Sequence, residues 1–363
     1  MSMQRWLAKA AQAVVLAAVA AASTVAGAQA LEKVRFGFAQ NAMSPILINF
    51  VVPAYLGYFK EEGLDPEFVT LGTNAAVMAS LDQKRIEFGV GVPSYQLPLA
   101  AKGEKLPGIN FYEYTYPFKW AVAVKPDSPI KSLADLKGKT VGVSSLGVTD
   151  FPVGKALMRL ANVDPEKDVQ WLAVGEGVTA GQAIQRGSVD ALVYFDTGFG
   201  QIEAAGMKLR YLPLPANLPK VGGLYVSASK ETLEKKRKQA VGFARAIAKG
   251  SLFIQENPEA AAYAFIQMYP EAAPRGAALA DQIKSVSVPV TKRMPLFTHY
   301  DKSITDWGRI SAAEWGDEIE FLGLKDKIKD PTVYFTNDLI PEINNFDRQK
   351  VIRQAKEFKI PAK

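Results

Sequence analysis

The stretch KVRFGFAQNAMSPILINFVVPAYLGYFKEEGLDPEFVT, residues 33–70, sets the fold class. Residues 33–39 alternate polar and apolar side chains, the period of a half-buried strand. Ser44-Pro45 follows as an N-cap residue with proline in the first turn of a helix. That helix closes on YFKEEG, with Gly63 where a C-terminal glycine belongs. Pro53 inside it predicts a kink or a restart. Residues 66–70 read as a second short strand. A strand, a helix and a strand in so short a span predict a mostly parallel sheet with helices on both faces.

The same alternation continues outward. Thr73-Asn74 caps a helix to about residue 84, and 87–91 is a third strand. Strand patterns recur at 121–124, 140–143 and 191–194, with helices over about 149–161 and 178–186 between them. The chain passes through Tyr116-Pro117-Phe118 into the middle strands and returns through Leu214-Pro215 and Leu218-Pro219 into a strand over 223–227. About 100 residues lie between these crossings, enough for a lobe of their own. The reading is therefore two lobes: a first over 31–119, a second over 120–222, and a return to the first over 223–363. Helical periods over 230–255, 257–269 and 307–322 are expected to pack on the first lobe.

The first thirty residues read as a leader. Arg5 and Lys9 precede an apolar run over 10–22, and the A-x-A triplets at 26–28 and 28–30 suit signal peptidase. The run is too short to span a membrane. Export to a bacterial periplasm is expected, with the cut after Ala28 or Ala30.

Composition removes whole classes of function. The 363 residues are 48% hydrophobic and 22% charged, which excludes a disordered or collagen-like chain. A net charge of +6 falls far short of a nucleic-acid-binding stripe. Cysteine is absent, so no thiolate metal site, disulfide or cysteine nucleophile exists. His299 is the single histidine, with neither base nor nucleophile spaced around it. No phosphate-binding loop, nucleophile elbow, zinc motif or EF-hand occurs. Neither a metal nor a cofactor is expected.

In open α/β sheets, ligands bind beyond the carboxyl ends of the strands. The candidate contacts are therefore Gln40 and Asn41, Thr73 and Asn74, Ser94 and Tyr95, the run Ser144, Ser145, Gly147, Val148 and Thr149, and Asp196. Small hydroxyl and amide side chains with exposed N–H groups at helix starts can grip a small polar ligand. The same residue types also serve as helix caps. Tyr112, Tyr114, Tyr116, Phe118 and Trp120 alternate along one extended segment. They read as packing, or as a cleft wall that stacks on a ring; Trp120 and Tyr225 join the candidate list on the second reading. Glu113, Glu176 and Asp196 read as solvated or capping acids. No arginine stands in these loops, which argues against bidentate anion capture.

Four segments together resemble the substrate-binding proteins of bacterial ABC importers, in the branch for alkanesulfonates, taurine, nitrate-like anions and thiamine-pyrimidine precursors. They are residues 53–65 (PAYLGYFKEEGLD), Leu71-Gly72-Thr73 with Ala79-Ser80-Leu81 and Ile86-Glu87-Phe88-Gly89, residues 130–142 (IKSLADLKGKTVG), and Gln185-Arg186-Gly187-Ser188-Val189-Asp190-Ala191. The resemblance covers roughly residues 33–270. It implies a two-lobed α/β fold of the type II periplasmic-binding-protein kind, joined by two crossing strands and closing on a ligand. It further implies a small-molecule ligand and a membrane permease with a cytoplasmic ATPase as partners, with the receptor a monomer and not an enzyme. Pyrimidine-precursor synthases of the same fold use a cysteine-rich motif and a nearby histidine. The absence of cysteine favours the binder and leaves that enzyme as the alternative.

Overall fold

The computed structural model describes residues 30–216 and 218–361; the expected leader, Ala30 apart, lies outside the described residues. The chain divides after Glu32, and the unit Lys33–Lys363 holds the elements that build the site.

Strands β1 (Glu32–Phe38), β2 (Leu64–Thr70), β3 (Phe88–Gly91) and β4 (Ile109–Thr115) belong to a first five-stranded sheet. Strands β5 (Trp120–Val124), β6 (Lys139–Val143), β7 (Val169–Ala173), β8 (Ala191–Phe195) and β9 (Arg210–Tyr211) form a second, and β10 (Leu224–Ala228) returns to the first. The orders are β2-β1-β3-β10-β4 and β7-β6-β8-β5-β9.

Both sheets are mixed, each with a single strand running against its neighbours. β1 runs parallel to β3, and β6 parallel to β7 and β8. β10 is antiparallel to β3 and β4, and β5 to β8 and β9. The two antiparallel intruders are the strands entered directly from a crossing. Neither follows a helical crossover on its own sheet, so nothing imposes the parallel direction on it.

The helices are α1 (Ile48–Tyr55), α2 (Tyr58–Glu61), α3 (Asn74–Asp82), α4 (Pro93–Ala100), α5 (Asp150–Leu160), α6 (Val178–Gln185) and α7 (Asp196–Ala204), followed by α8 (Lys230–Lys235), α9 (Arg237–Glu256), α10 (Pro258–Met268), α11 (Leu279–Arg293), α12 (Ala312–Phe321), α13 (Ile340–Ile343) and α14 (Arg348–Glu357). Pro53 stays inside α1; the restart comes at Gly57 instead, whose φ of 81° ends one helix and caps the next. The helix expected over 230–255 breaks at Lys236, and the one expected over 307–322 begins only at Ala312, where Ser311 caps it through the Ala313 N–H.

α11 escaped the sequence reading. Its run SVSVPV, with Pro289 inside, looks strand-like by composition. It lies against α7, the helix that follows β8, as well as against α10.

The first core fixes where the loops open. Val34, Phe36 and Phe38 of β1 are buried, and Phe243 of α9 stacks on Phe36 and Phe88 with centroids 5.6 Å and 4.6 Å apart. A one-residue slip of either strand would throw these rings to the opposite face, so the aromatic cluster locks the β1–β3 register. With the strands parallel, the loops after both emerge on the same edge.

Candidate functional site

A cavity of about 570 Å3 lies where the strand ends of the two sheets face each other. From the first sheet come the loop after β1, Gly72 and Asn74 after β2, Val92 after β3, and Tyr114 and Leu224. From the second come Ser144, Val148, Thr149 and Asp150 after β6, Glu176 after β7, and Phe195, Thr197 and Gln201 around β8. Lys119 and Trp120 enter from the first crossing and Arg293 from the end of α11.

Seven of the sequence candidates stand in this wall: Gln40, Asn41, Asn74, Trp120, Ser144, Val148 and Thr149. The others stand outside it for local reasons. The Thr73 hydroxyl accepts the Ala76 N–H at 3.1 Å and is spent as the cap of α3. α4 begins at Pro93, so Ser94 and Tyr95 lie within its first turn and Val92 takes the wall position. The Ser145 hydroxyl accepts the Gly147 N–H at 3.2 Å within an exposed turn, away from the cavity. Tyr225 points to the other face of β10, against Trp315, while its neighbour Leu224 faces the cavity.

The aromatic segment divides between the two roles foreseen for it. Tyr112 and Tyr116 are fully buried packing, and Tyr114 and Trp120 are wall. The Trp120 indole donates to Asp150 Oδ1 at 2.8 Å, and the Ser144 hydroxyl donates to Asp150 Oδ2. Burial pushes the Asp150 carboxyl up, against the pull of these two donors and of Lys119. Glu176, at the rim, is raised by partial burial and by the charge of Asp150.

Arginine does reach the site, from a helix the sequence reading missed. Arg293 is 2% exposed and holds Asp196 with both Nε and Nη2, a bidentate pair. Asp196 is therefore an ion-pair partner rather than a free cap or wall residue. Lys119 donates to the Gly222 carbonyl at 2.5 Å, and its ammonium lies 4.5 Å from the Trp120 ring centroid. Burial and the nearby Arg293 bring Lys119 down to about 8, which keeps it charged at neutral pH.

Four wall residues carry a buried polar atom with no partner: Gln40 Oε1, Asn74 Oδ1, Thr197 Oγ1 and Arg293 Nη1. Each such atom is destabilising by about 1–3 kcal/mol until something complements it. Nothing in the wall has the form of a nucleophile with its base. His299 sits apart from the cavity, its ring edge-on to Tyr116 at 5.2 Å. Among the described residues, no group of acids and histidine is arranged to hold a metal ion.

Residues 44–261 match the family described as NMT1/THI5 like. The chain is 25% identical over 284 residues to the formylaminopyrimidine-binding protein of Halalkalibacterium halodurans, covering 76% of this chain and 81% of that protein. Across the curated relatives it matches, the chain spans between 64% and 81% of their length. In fold it is similar to the periplasmic aliphatic sulphonate binding protein SsuA from Escherichia coli, at 17% identity, with 89% of this chain and 99% of that one covered and a TM-score of 0.60. The desulfurization enzyme DSZB is similar as well, at 15% identity, 86% and 99% coverage and a TM-score of 0.55. The architecture is that of the periplasmic binding proteins, two sheets of mixed strands flanked by helices.

Proposed function

The chain belongs to the NMT1/THI5-like family, and from that premise we propose that it is an extracytoplasmic solute receptor. It closes two lobes on a small planar organic molecule and hands it, as a monomer, to the permease and cytoplasmic ATPase of an ABC importer. The observation that carries the reading is the set of four unpartnered polar atoms, contributed from both sides of one cavity. Two are acceptors, one is a donor, and the Thr197 hydroxyl can be either. A guest that complements them offers N–H donors and an acceptor oxygen together, and is flat enough to lie among Tyr114, Trp120 and Phe195.

The wall is not a simple anion hole, because Arg293 is already neutralised by Asp196 and two further carboxylates, Asp150 and Glu176, face the same space. This favours an acylated amino-heterocycle over a plain alkanesulfonate. The name of the Halalkalibacterium halodurans relative points the same way. Residence in the periplasm fits the family of fold, and no helix among the described residues is long and apolar enough to cross a membrane.

The test is a thermal-shift and calorimetric screen over aminopyrimidines, aromatic carboxylates and alkanesulfonates. A guest at a hundredfold excess over its Kd stabilises by about 2.7 kcal/mol. The expected result is saturable binding of an acyl-substituted aminopyrimidine, reduced at least tenfold by Ser144→Trp. Binding that ignores every wall substitution would overturn the site. The second reading, an enzyme of the pyrimidine-precursor type, draws on the fold shared with DSZB. Recovery of the guest chemically unchanged after prolonged incubation would dispose of it.

A further inference from the structure

This inference takes the two-lobed closure just proposed as its premise and concerns how that closure is controlled. The second crossing, where the chain returns through Gly222 and Gly223 to β10, runs over carboxylates that the cleft does not use. Glu113 on β4 is fully buried, and Glu314 and Glu318 on α12 are 2% and 3% exposed. Glu318 accepts the Gly222 N–H at 2.8 Å. A Cβ on Gly223 would stand 2.5 Å from Glu113 Oε1 and 2.6 Å from the Tyr225 hydroxyl, so only glycine lets the crossing lie directly on the cluster.

The carboxyls of Glu113 and Glu314 face each other with none of their four oxygens hydrogen-bonded, and the hydroxyls of Tyr225 and Tyr300 are the neutral groups beside them. No cation is paired with either. The nearest, Lys119, is turned to the Gly222 carbonyl. On the far side, His299 Nε2 is 3.5 Å from Glu314 Oε1, while its Nδ1 accepts the Asp301 N–H at 3.0 Å. The ring is thereby neutral with its proton on Nε2, and burial opposes a second one. Asp317, one turn from Glu314, adds a further negative charge as it accepts the Lys220 N–H at 2.7 Å. Tyr112 and Tyr114, the remaining titratable groups of β4, and Tyr116 just beyond its end are held protonated by burial. Two carboxylates in buried contact without a counter-ion cannot both be ionised, so a proton is shared between them.

We propose that this cluster is a proton-operated latch on the hinge. With the proton in place, α12 grips the second crossing and holds the lobes. When the proton leaves to solvent, Glu113 and Glu314 repel, α12 is pushed away from β4 and from the crossing at Gly223, and the lobes gain freedom to open.

The direction follows from burial, which raises Glu113 well above the ordinary carboxylate range and brings Glu314 and Glu318 to about 7. A carboxyl raised in this way stabilises its enclosure fully at acid pH, and that contribution is lost as pH rises through about 7. The latch is therefore tight in acid and loose in mild alkali.

The experiment uses the full mature chain without any guest. Because cysteine is absent, Lys102→Cys on the first lobe and Lys208→Cys on the second accept a pair of spin labels cleanly. The interlobe distance distribution is recorded from about pH 5 to about pH 9, a window centred on the raised carboxyls. The expected result is a broadening toward longer distances with a midpoint near 7, absent in Glu113→Gln and in Glu314→Gln. Thermal melts identify which variants fold, and Glu113→Met or Glu314→Met replaces one that does not, since an apolar side chain also removes the shared proton. A wild-type distribution that ignores pH overturns the proposal. So does a transition that survives the glutamine variants but disappears in His299→Gln. Since no guest is present, failure here leaves the receptor reading standing, and failure to find a guest leaves this result standing.

Discussion

Replacing Asp196 with alanine tests the cleft at the point where its charge balance is set. Arg293 is 2% exposed, and two of its three guanidinium nitrogens are committed to Asp196; the third, Nη1, has no partner. Removing the carboxylate leaves a buried cation with no counter-charge, a change that typically costs about 3–5 kcal/mol. At roughly 2–4 °C per kcal/mol for a chain of this size, the melting temperature falls by about 6–20 °C. Replacing both partners with apolar groups is close to neutral, so the double variant Asp196→Ala, Arg293→Met recovers most of the loss. Calorimetric melts of wild type, both single variants and the double variant close the cycle. The single Asp196→Ala variant has a second consequence. Its freed guanidinium gains an anionic probe such as benzoate by about 1.5–3 kcal/mol, more than tenfold in affinity. A melting shift below about 1 kcal/mol, or a double variant less stable than either single one, would refute the account of Arg293 as a buried and neutralised cation.

Three further outcomes are expected. Thr73→Ala removes the cap of α3 and lowers stability by about 1 kcal/mol in urea denaturation, with guest affinity unchanged, because its hydroxyl faces the helix and not the cavity. Lys119 is lowered to about 8 in the folded chain, against about 10.4 unfolded. Its contribution is complete only above the unfolded value and is lost as pH falls through about 8, so stability climbs over that alkaline window in wild type and stays flat in Lys119→Met. Trp120→Phe removes the indole donor to Asp150 and lowers stability by about 1–3 kcal/mol. It also removes most of the guest-induced change in tryptophan fluorescence, although four other tryptophans remain.

What the sequence disclosed was local, and what it hid was long-range. β1, β3 and the Thr73 cap were legible because alternation, turn residues and caps are written in adjacent positions. The strand-end loops were legible as a group because parallel strands oblige them to share an edge. Which residue of each loop faces inward was not. Tyr225 and Leu224 differ by one position and look in opposite directions, and the phase of β10 is fixed only by its pairing with Gly91 and Glu113 on neighbouring strands. Ser94 and Tyr95 misled because Pro93 starts α4 earlier than the loop pattern suggested. The charged part of the site was invisible. Arg293 and Asp196 are 97 residues apart in sequence, and Arg293 ends a helix whose valines and proline conceal it. Glu113 looked like a solvated acid because its seclusion depends on α12, roughly the length of a domain further along the chain.

Trp120 connects the cavity to the returning crossing at Gly222. Its indole N–H is tied to Asp150, which also takes the Ser144 hydroxyl, so any guest that reorganises Ser144 or Asp150 acts on the indole. The far edge of the same ring fills the space where Gly222 would carry a side chain; a Cβ there would stand 2.2 Å from the ring, and the φ of 86° would strain any other residue as well. Lys119, over the ring, holds the Gly222 carbonyl, and Glu318 holds its N–H. One aromatic side chain thus touches the cavity on one edge and the returning crossing on the other, with the backbone of that crossing clamped from both sides. Movement of the indole by even a few tenths of an ångström has no slack to absorb it, because close-packed interiors transmit displacement rather than damping it. Under the proposed receptor reading, occupancy of the cleft and the angle between the lobes would be linked through Trp120, and the buried carboxylates beside Gly223 sit where that link would be stiffened or released.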